Sequence, residues 1–221
     1  MATAPDSPRP DVTDMFAVHQ ALRDSLGSAP QLVHGVSASD NERVELITNL
    51  YDNILDFLHV HHDGEEQLVF PVLRERCPDQ LELLDLMASQ HADVVGLLQR
   101  SADSLSAWAG GDATAQAGSA SALGELAGRL DQHLGEEESL VLPLCAQHMS
   151  IEEWEALPGH AMGNFGGDKI WLVLGLIRQR MTQAQRDQML AHMPPPAVEM
   201  WTTMGEQSYK NLMAAVGAPL G

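Results

Sequence analysis

The sequence predicts an all-α fold: an up-down-up-down four-helix bundle followed by a helical C-terminal extension. Three observations lead there. Apolar residues recur in steps of three and four along four long stretches. Aromatic residues are sparse while Ala, Leu, Met, Gln and Glu abound, which favours helix over sheet. Turn-forming residues fall between the periodic stretches, and the joins are short enough for neighbouring antiparallel helices.

Taken in order, residues 1–10 are rich in proline and read as a disordered leader. The first stretch sets Met15, His19, Leu22 and Leu26 on one face and extends towards Val33. Residues Gly35 to Asp40 separate it from the second, which carries Ile47, Leu50, Ile54, Phe57, His61, Glu65, Leu68 and Val72. Cys77-Pro78 marks the next join. The third stretch then carries Leu84, Met87, His91, Val94 or Val95, Leu98 and Leu105. After Gly110-Gly111-Asp112 the fourth carries Leu123, Leu126, Leu130, His133, Glu137, Leu140 and Leu144. Pro71 and Pro143 are expected to kink or end the second and fourth helices. The bundle is thus expected over residues 11–149.

Residues 150–221 form the extension. Ser150-Ile151-Glu152-Glu153 has the form of a capping box. Gly163 to Gly167 reads as a loop, Asp168 to Met181 as an apolar helix, and Thr182 as the cap of another. Pro194-Pro195-Pro196 opens a last helix through Met213. Trp154, Trp171 and Trp201 suit packing on the bundle or a homodimer contact.

The two halves of the bundle repeat one pattern. A shift of 72 residues takes His61 to His133, Glu65 to Glu137, Pro71 to Pro143 and His19 to His91. Each half therefore reads His, then His-x-x-x-Glu beginning 42 positions later. Residues four apart share a helix face, so His61 and Glu65 project together, as do His133 and Glu137. All six lie on inward, apolar stripes. A single histidine there is usually a hydrogen-bonded core residue, and glutamate runs are usually solvated. Burying four imidazoles and two carboxylates without a partner costs several kcal/mol, about the size of a whole domain's stability. A pair of metal ions, with glutamates able to bridge them, resolves that cost. Mixed nitrogen and oxygen donors suit iron or manganese, and zinc is compatible.

His62 and Glu66 have the same spacing as His61 and Glu65. The repeat favours the latter pair, because Leu134 stands where His62 would recur. Glu66 and Glu138 are then outward or supporting groups, and His34, His59, His62, His148 and His192 surface or packing residues. His160, in Leu157-Pro158-Gly159-His160, is a further nitrogen that the extension would bring to the site by folding back.

A formal charge of −19 argues against nucleic acid or an anionic membrane as partner. The longest apolar run, residues 170–177, is too short to span a bilayer. The N-terminus lacks a basic start and an apolar run, and Cys77 and Cys145 do not make a disulfide framework. A reducing, cytoplasmic location is expected.

The combination of His19, His61-x-x-x-Glu65, His91 and His133-x-x-x-Glu137, with Phe70-Pro71 and Leu142-Pro143 beyond the carboxylates, resembles the hemerythrin-like, cation-binding HHE family. The resemblance covers residues 11–149. It implies a four-helix bundle around a non-haem di-iron centre, oxo- or hydroxo-bridged, and small-molecule partners such as dioxygen, hydrogen peroxide or nitric oxide. Oxygen-carrying members place a fifth histidine four residues after the one on the third helix, where this chain has Val95. They also use an aspartate five residues after the fourth-helix histidine, where this chain has Glu138, one past Glu137. The pattern is closer to four-His, two-Glu members that repair iron–sulfur clusters, without the cysteine-bearing N-terminal domain of those proteins. The expected activity is peroxide- or nitric-oxide-reactive oxidoreductase chemistry, and the alternative is an oxygen- or iron-sensing or iron-storage module without turnover.

Overall fold

Helix formation starts where the leader's prolines stop. The Asp11 carboxylate accepts the Thr13 amide at 3.0 Å, and α1 runs Thr13–Gly27, followed after one residue by α2 (Ala29–His34). The computed structural model describes residues 8–37, 39–112, 114–165 and 169–217. The expected leader lies outside them except for residues 8–10. Among the described residues there is no strand, so the fold is all-helical.

The Asp40 side chain caps α3 (Asn41–Gly64) by accepting the Arg43 amide at 3.0 Å. Its Ile47, Leu50, Ile54, Phe57 and Leu58 are buried in one stripe. Such side chains each contribute about 1.5–3 kcal/mol over their exposed state, which drives α3 into the interior. At the end of α3 the backbone widens into a π-turn over Glu65–Val69 and resumes as α4 (Phe70–Arg76). Pro71 therefore does not end this helix. It sits in the first turn of α4, where its missing N–H costs little, and the π-turn absorbs the change of phase.

A short 3₁₀ turn, Pro78–Gln80, leads into α5 (Leu81–Ala109). The last long helix is α6 (Ala115–Leu140), interrupted at Val141 before α7 (Leu142–His148) with Pro143 in its first turn. Here the same proline is met by a break rather than a π-turn. Helices α5 and α6 pack along each other, α3 packs on α5, and α1 and α2 pack on α6. One core cluster fills the middle of this bundle, and a second, with Met15, Phe70, Leu73, Met87, Leu142 and Cys145, closes the end beyond the π-turn.

The extension continues the same core. The α8 helix (Ile151–Asn164) starts at the expected capping box, with Glu153 N to Ser150 Oγ at 3.2 Å and Ser150 N to Glu153 Oε2 at 2.8 Å. It includes Gly163 and Asn164, which the sequence assigns to a loop. Phe165 lies past its end, and the rest of that loop is outside the described residues. Arg76 of α4 holds Glu153 at 2.6 and 2.7 Å. Helix α9 (Lys169–Arg180) buries Trp171 through Ile177 without a polar face, because α1 lies on one side of it and the C-terminal helix on the other. Then come α10 (Gln183–His192), capped by Thr182, and α11 (Pro195–Met200). A second π-turn, Trp201–Gly205, leads into α12 (Glu206–Val216). Gly175 of α9 has no room for a side chain, since a Cβ there would lie 2.2 Å from the Tyr209 ring of α12. No helix among the described residues is long and apolar enough to cross a membrane.

Candidate metal centre

Four long helices and one π-turn deliver the histidines and glutamates to a single buried place. His19 comes from α1, His61 and His62 from α3, Glu65 from the first position of the π-turn, His91 from α5, and His133 and Glu137 from α6. They form two donor groups, each able to hold a metal ion: His19, His61, Glu65 and Glu137, and His62, Glu65, His91 and His133. Glu65 belongs to both. Its Oε1 faces His61 Nε2 at 3.1 Å and its Oε2 faces His91 Nε2 at 3.3 Å. Glu137 Oε2 lies 3.4 Å from His19 Nε2 and 3.9 Å from His133 Nε2, so it leans towards the first group.

His62 is the departure from the sequence reading, which leaves it on the surface or in ordinary packing. It is 3% exposed. Its ring stacks on His91 at 4.2 Å between centroids and meets His133 edge-on at 5.1 Å. Adjacent residues on a helix point about 100° apart. Because α3 is surrounded at this level, His61 and His62 both point inward, each into a different group. The repeat held a clue to this. Its counterpart Leu134 is 0% exposed, so the position was inward in both halves.

His160 belongs to neither group. Its side chain covers Gly64, where an added Cβ would approach its Cδ2 and that of Leu157 to 3.3 Å. Val95 is 50% exposed and Val94 buried, so the residue four beyond His91 points away from the centre. His34, His59 and His192 are exposed, and His148 is half-buried against Gln147 at 3.0 Å.

The outward nitrogens of three imidazoles are anchored. His19 Nδ1 contacts Glu138 Oε1 at 3.0 Å, and Arg23 in turn grips Glu138 at 2.6 and 3.1 Å. His91 Nδ1 contacts Glu66 Oε1 at 2.8 Å. His133 Nδ1 donates to Gln90 Oε1 at 2.8 Å, and Gln90 Nε2 reaches Glu136 at 2.7 Å. An imidazole whose Nδ1 is held this way presents Nε2 inward in one orientation. Glu66 and Glu138 are related by the 72-residue shift, and each supports a histidine contributed by another helix.

Electrostatics describe a site short of positive charge. Burial would raise the Glu65 carboxyl, but the imidazoles of His61 and His91 outweigh it and bring its pKa down to about 2. Burial and then the Glu65 charge push Glu137 well above the carboxylate range. The two acids cannot both be ionised comfortably without a cation between them. Burial lowers His61 to about 4, and lowers His133 to about 3 with help from His91. Burial, then His91 and His61, hold His62 well below its ordinary value. His91 is raised: burial works against its charge, but Glu65 and Glu66 prevail. Neutral imidazoles are the form that binds metal.

The side chains fit metal on two counts. His19 Nε2, His61 Nε2, both nitrogens of His62, both oxygens of Glu65 and Glu137 Oε2 are buried without a hydrogen-bond partner, and each such atom costs about 1–3 kcal/mol. The donor atoms of each group also lie within 4.8 Å of one another. Cys77 and Cys145 are free, buried thiols outside both groups.

No curated protein and no solved structure shows significant similarity to the chain. The family model for the hemerythrin HHE cation binding domain matches residues 11–145, which span α1 through most of α7 and hold all the donors of both groups. The chain belongs to the hemerythrin HHE cation-binding family.

Proposed function

We propose that the four long helices, running up-down-up-down, hold two iron ions and that the protein binds or reacts with dioxygen, hydrogen peroxide or nitric oxide there. The observation that carries this reading is Glu65, whose two oxygens face two separate donor groups. One carboxylate placed so is suited to bridging a pair of ions. The nitrogen and oxygen donors and the absence of thiolate in either group favour iron or manganese over soft-metal sites.

Bound iron supplies the redox-active position at which a small molecule is captured. The chain's own part is to exclude water and fix the donors. Leu22, Leu58, Val94 and Leu130, all fully buried, form the apolar shell along the helices that carry the donors. Glu138 with Arg23, Glu66, and Gln90 hold three imidazoles in orientation from outside. This dry, preorganised pocket with a duplicated donor set supports reaction or reversible binding over bulk iron storage.

The test is metal analysis of the purified chain followed by stopped-flow mixing of its reduced form with oxygen. Two irons per chain and an oxygen-dependent change in the visible spectrum are expected. Zinc alone at full occupancy, or reduced protein indifferent to oxygen, peroxide and nitric oxide alike, overturns the proposal. Reversible spectral change without consumption of peroxide favours the sensing alternative over turnover.

A further inference from the structure

We infer that His62, which the 72-residue repeat leaves out of the donor set, is a third imidazole ligand for one of the two ions. This rests on the two-ion reading above and says how the ions differ.

His62 is buried, and neither Nδ1 nor Nε2 has a hydrogen-bond partner. A histidine serving only to pack uses at least one ring nitrogen, because an imidazole always carries a donor or an acceptor on each. The neighbouring imidazoles of His19, His91 and His133 obey this through Glu138, Glu66 and Gln90. His62 has no such anchor. Its ring is held instead in a stack: Phe70 on His91 at 5.3 Å and 8°, and His91 on His62 at 4.2 Å and 17°. The stack fixes the ring plane and leaves both nitrogens free.

One nitrogen of His62 falls within 4.8 Å of donor atoms from Glu65, His91 and His133. With it, that ion has three imidazoles and a carboxylate oxygen, while the other has His19, His61 and oxygens from Glu65 and Glu137.

The repeat supplies the control substitution. His62→Leu gives the first half the residue the second half carries at Leu134, so the volume suits the site. Full-length protein loaded with ⁵⁷Fe and oxidised is expected to give two unequal quadrupole doublets. His62→Leu is expected to bind one of its two ferrous ions at least about tenfold more weakly under anaerobic titration. At saturating iron it is expected to show a single doublet. Unchanged helicity of metal-free His62→Leu establishes that folding is not the cause. Should that variant fail to fold, X-ray absorption on wild-type protein decides: five imidazoles shared by two irons support the inference, and four overturn it. Two irons bound with equal doublets, unaffected by His62→Leu, sink the role of His62 and leave the di-iron reading standing. Wild-type protein that binds no iron overturns both.

Discussion

The segments His61–Pro71 and His133–Pro143 correspond residue for residue, yet they do different work. Both deliver a histidine and, four residues on, a glutamate to the interior. The first then widens into a π-turn and continues, whereas the second breaks at Val141 and restarts. The first has His62 where the second has Leu134, and Gly64 where the second has Glu136. One change adds an imidazole beside His91. The other removes a side chain, so that Leu157 and His160 of α8 can lie against the helix. A duplicated frame thus fixes where the donors sit, and single substitutions within it make the halves unequal.

The largest expected effect comes from the carboxylate the groups share. Glu65→Gln should abolish binding of both ions, while Glu137→Gln, which touches mainly the His19 group, should leave about one ion per chain. Metal analysis after gel filtration measures this, and equal losses in the two variants contradict the assigned asymmetry. Next come the supporting acids. Glu138→Gln and Glu66→Gln should each weaken metal affinity about 10–100-fold. Glu138 should be the more damaging of the two, since its side chain is 18% exposed and Arg23-bound, against 42% for Glu66. Competition with a calibrated chelator ranks them.

The sign of the pH dependence follows from the two groups whose proton affinity is raised. Glu137 and His91 hold protons in the metal-free protein at higher pH than their free counterparts do. Metal must displace those protons, so affinity rises with pH and falls as pH drops through the raised values. His61 and His133, lowered to about 4 and about 3, stay neutral and compete only near those values. Metal titrations from pH 8 to pH 5 should show steadily weaker binding, and a flat profile would contradict the assignment.

Smaller effects separate the two halves at their glycines. Gly64→Glu, which copies the second half, should lift α8 from the π-turn and cost about 1–3 kcal/mol by overpacking. Thermal unfolding, and proteolysis within residues 151–164, report it. A Cβ added at Gly135 of α6 would meet nothing within 4 Å, so Gly135→Ala should instead stabilise by about 0.5–1 kcal/mol.

Much of this was legible in the sequence. The 3.6-residue periodicity located the four long helices, and the 72-residue shift picked out six of the seven side chains that cluster in the interior, because spacing along a helix determines which residues share a face. The capping residues Ser150 and Thr182 marked two helix starts in the extension. His62 escaped because a repeat argument treats a departure from the repeat as noise, whereas the departure places a second buried imidazole on α3, stacked on His91. The π-turn escaped because proline reads as a helix stop, and only packing at both ends of the helix decides that it is bridged. The fit of α8 against Gly64 depends on contacts about 95 residues apart in the chain, which no local pattern encodes.

The crossing of donors between halves has a consequence for assembly. One group takes three residues from the first half and Glu137 from the second, and the other takes His62 and Glu65 from the first and His91 and His133 from the second. Neither half alone owns a site, although each carries the full motif. During synthesis both groups stay incomplete until α6 has emerged and docked, some 118 residues after His19. An ion that needs all four residues of a group could bind only after α6 has docked, so a loaded centre would mark a finished bundle.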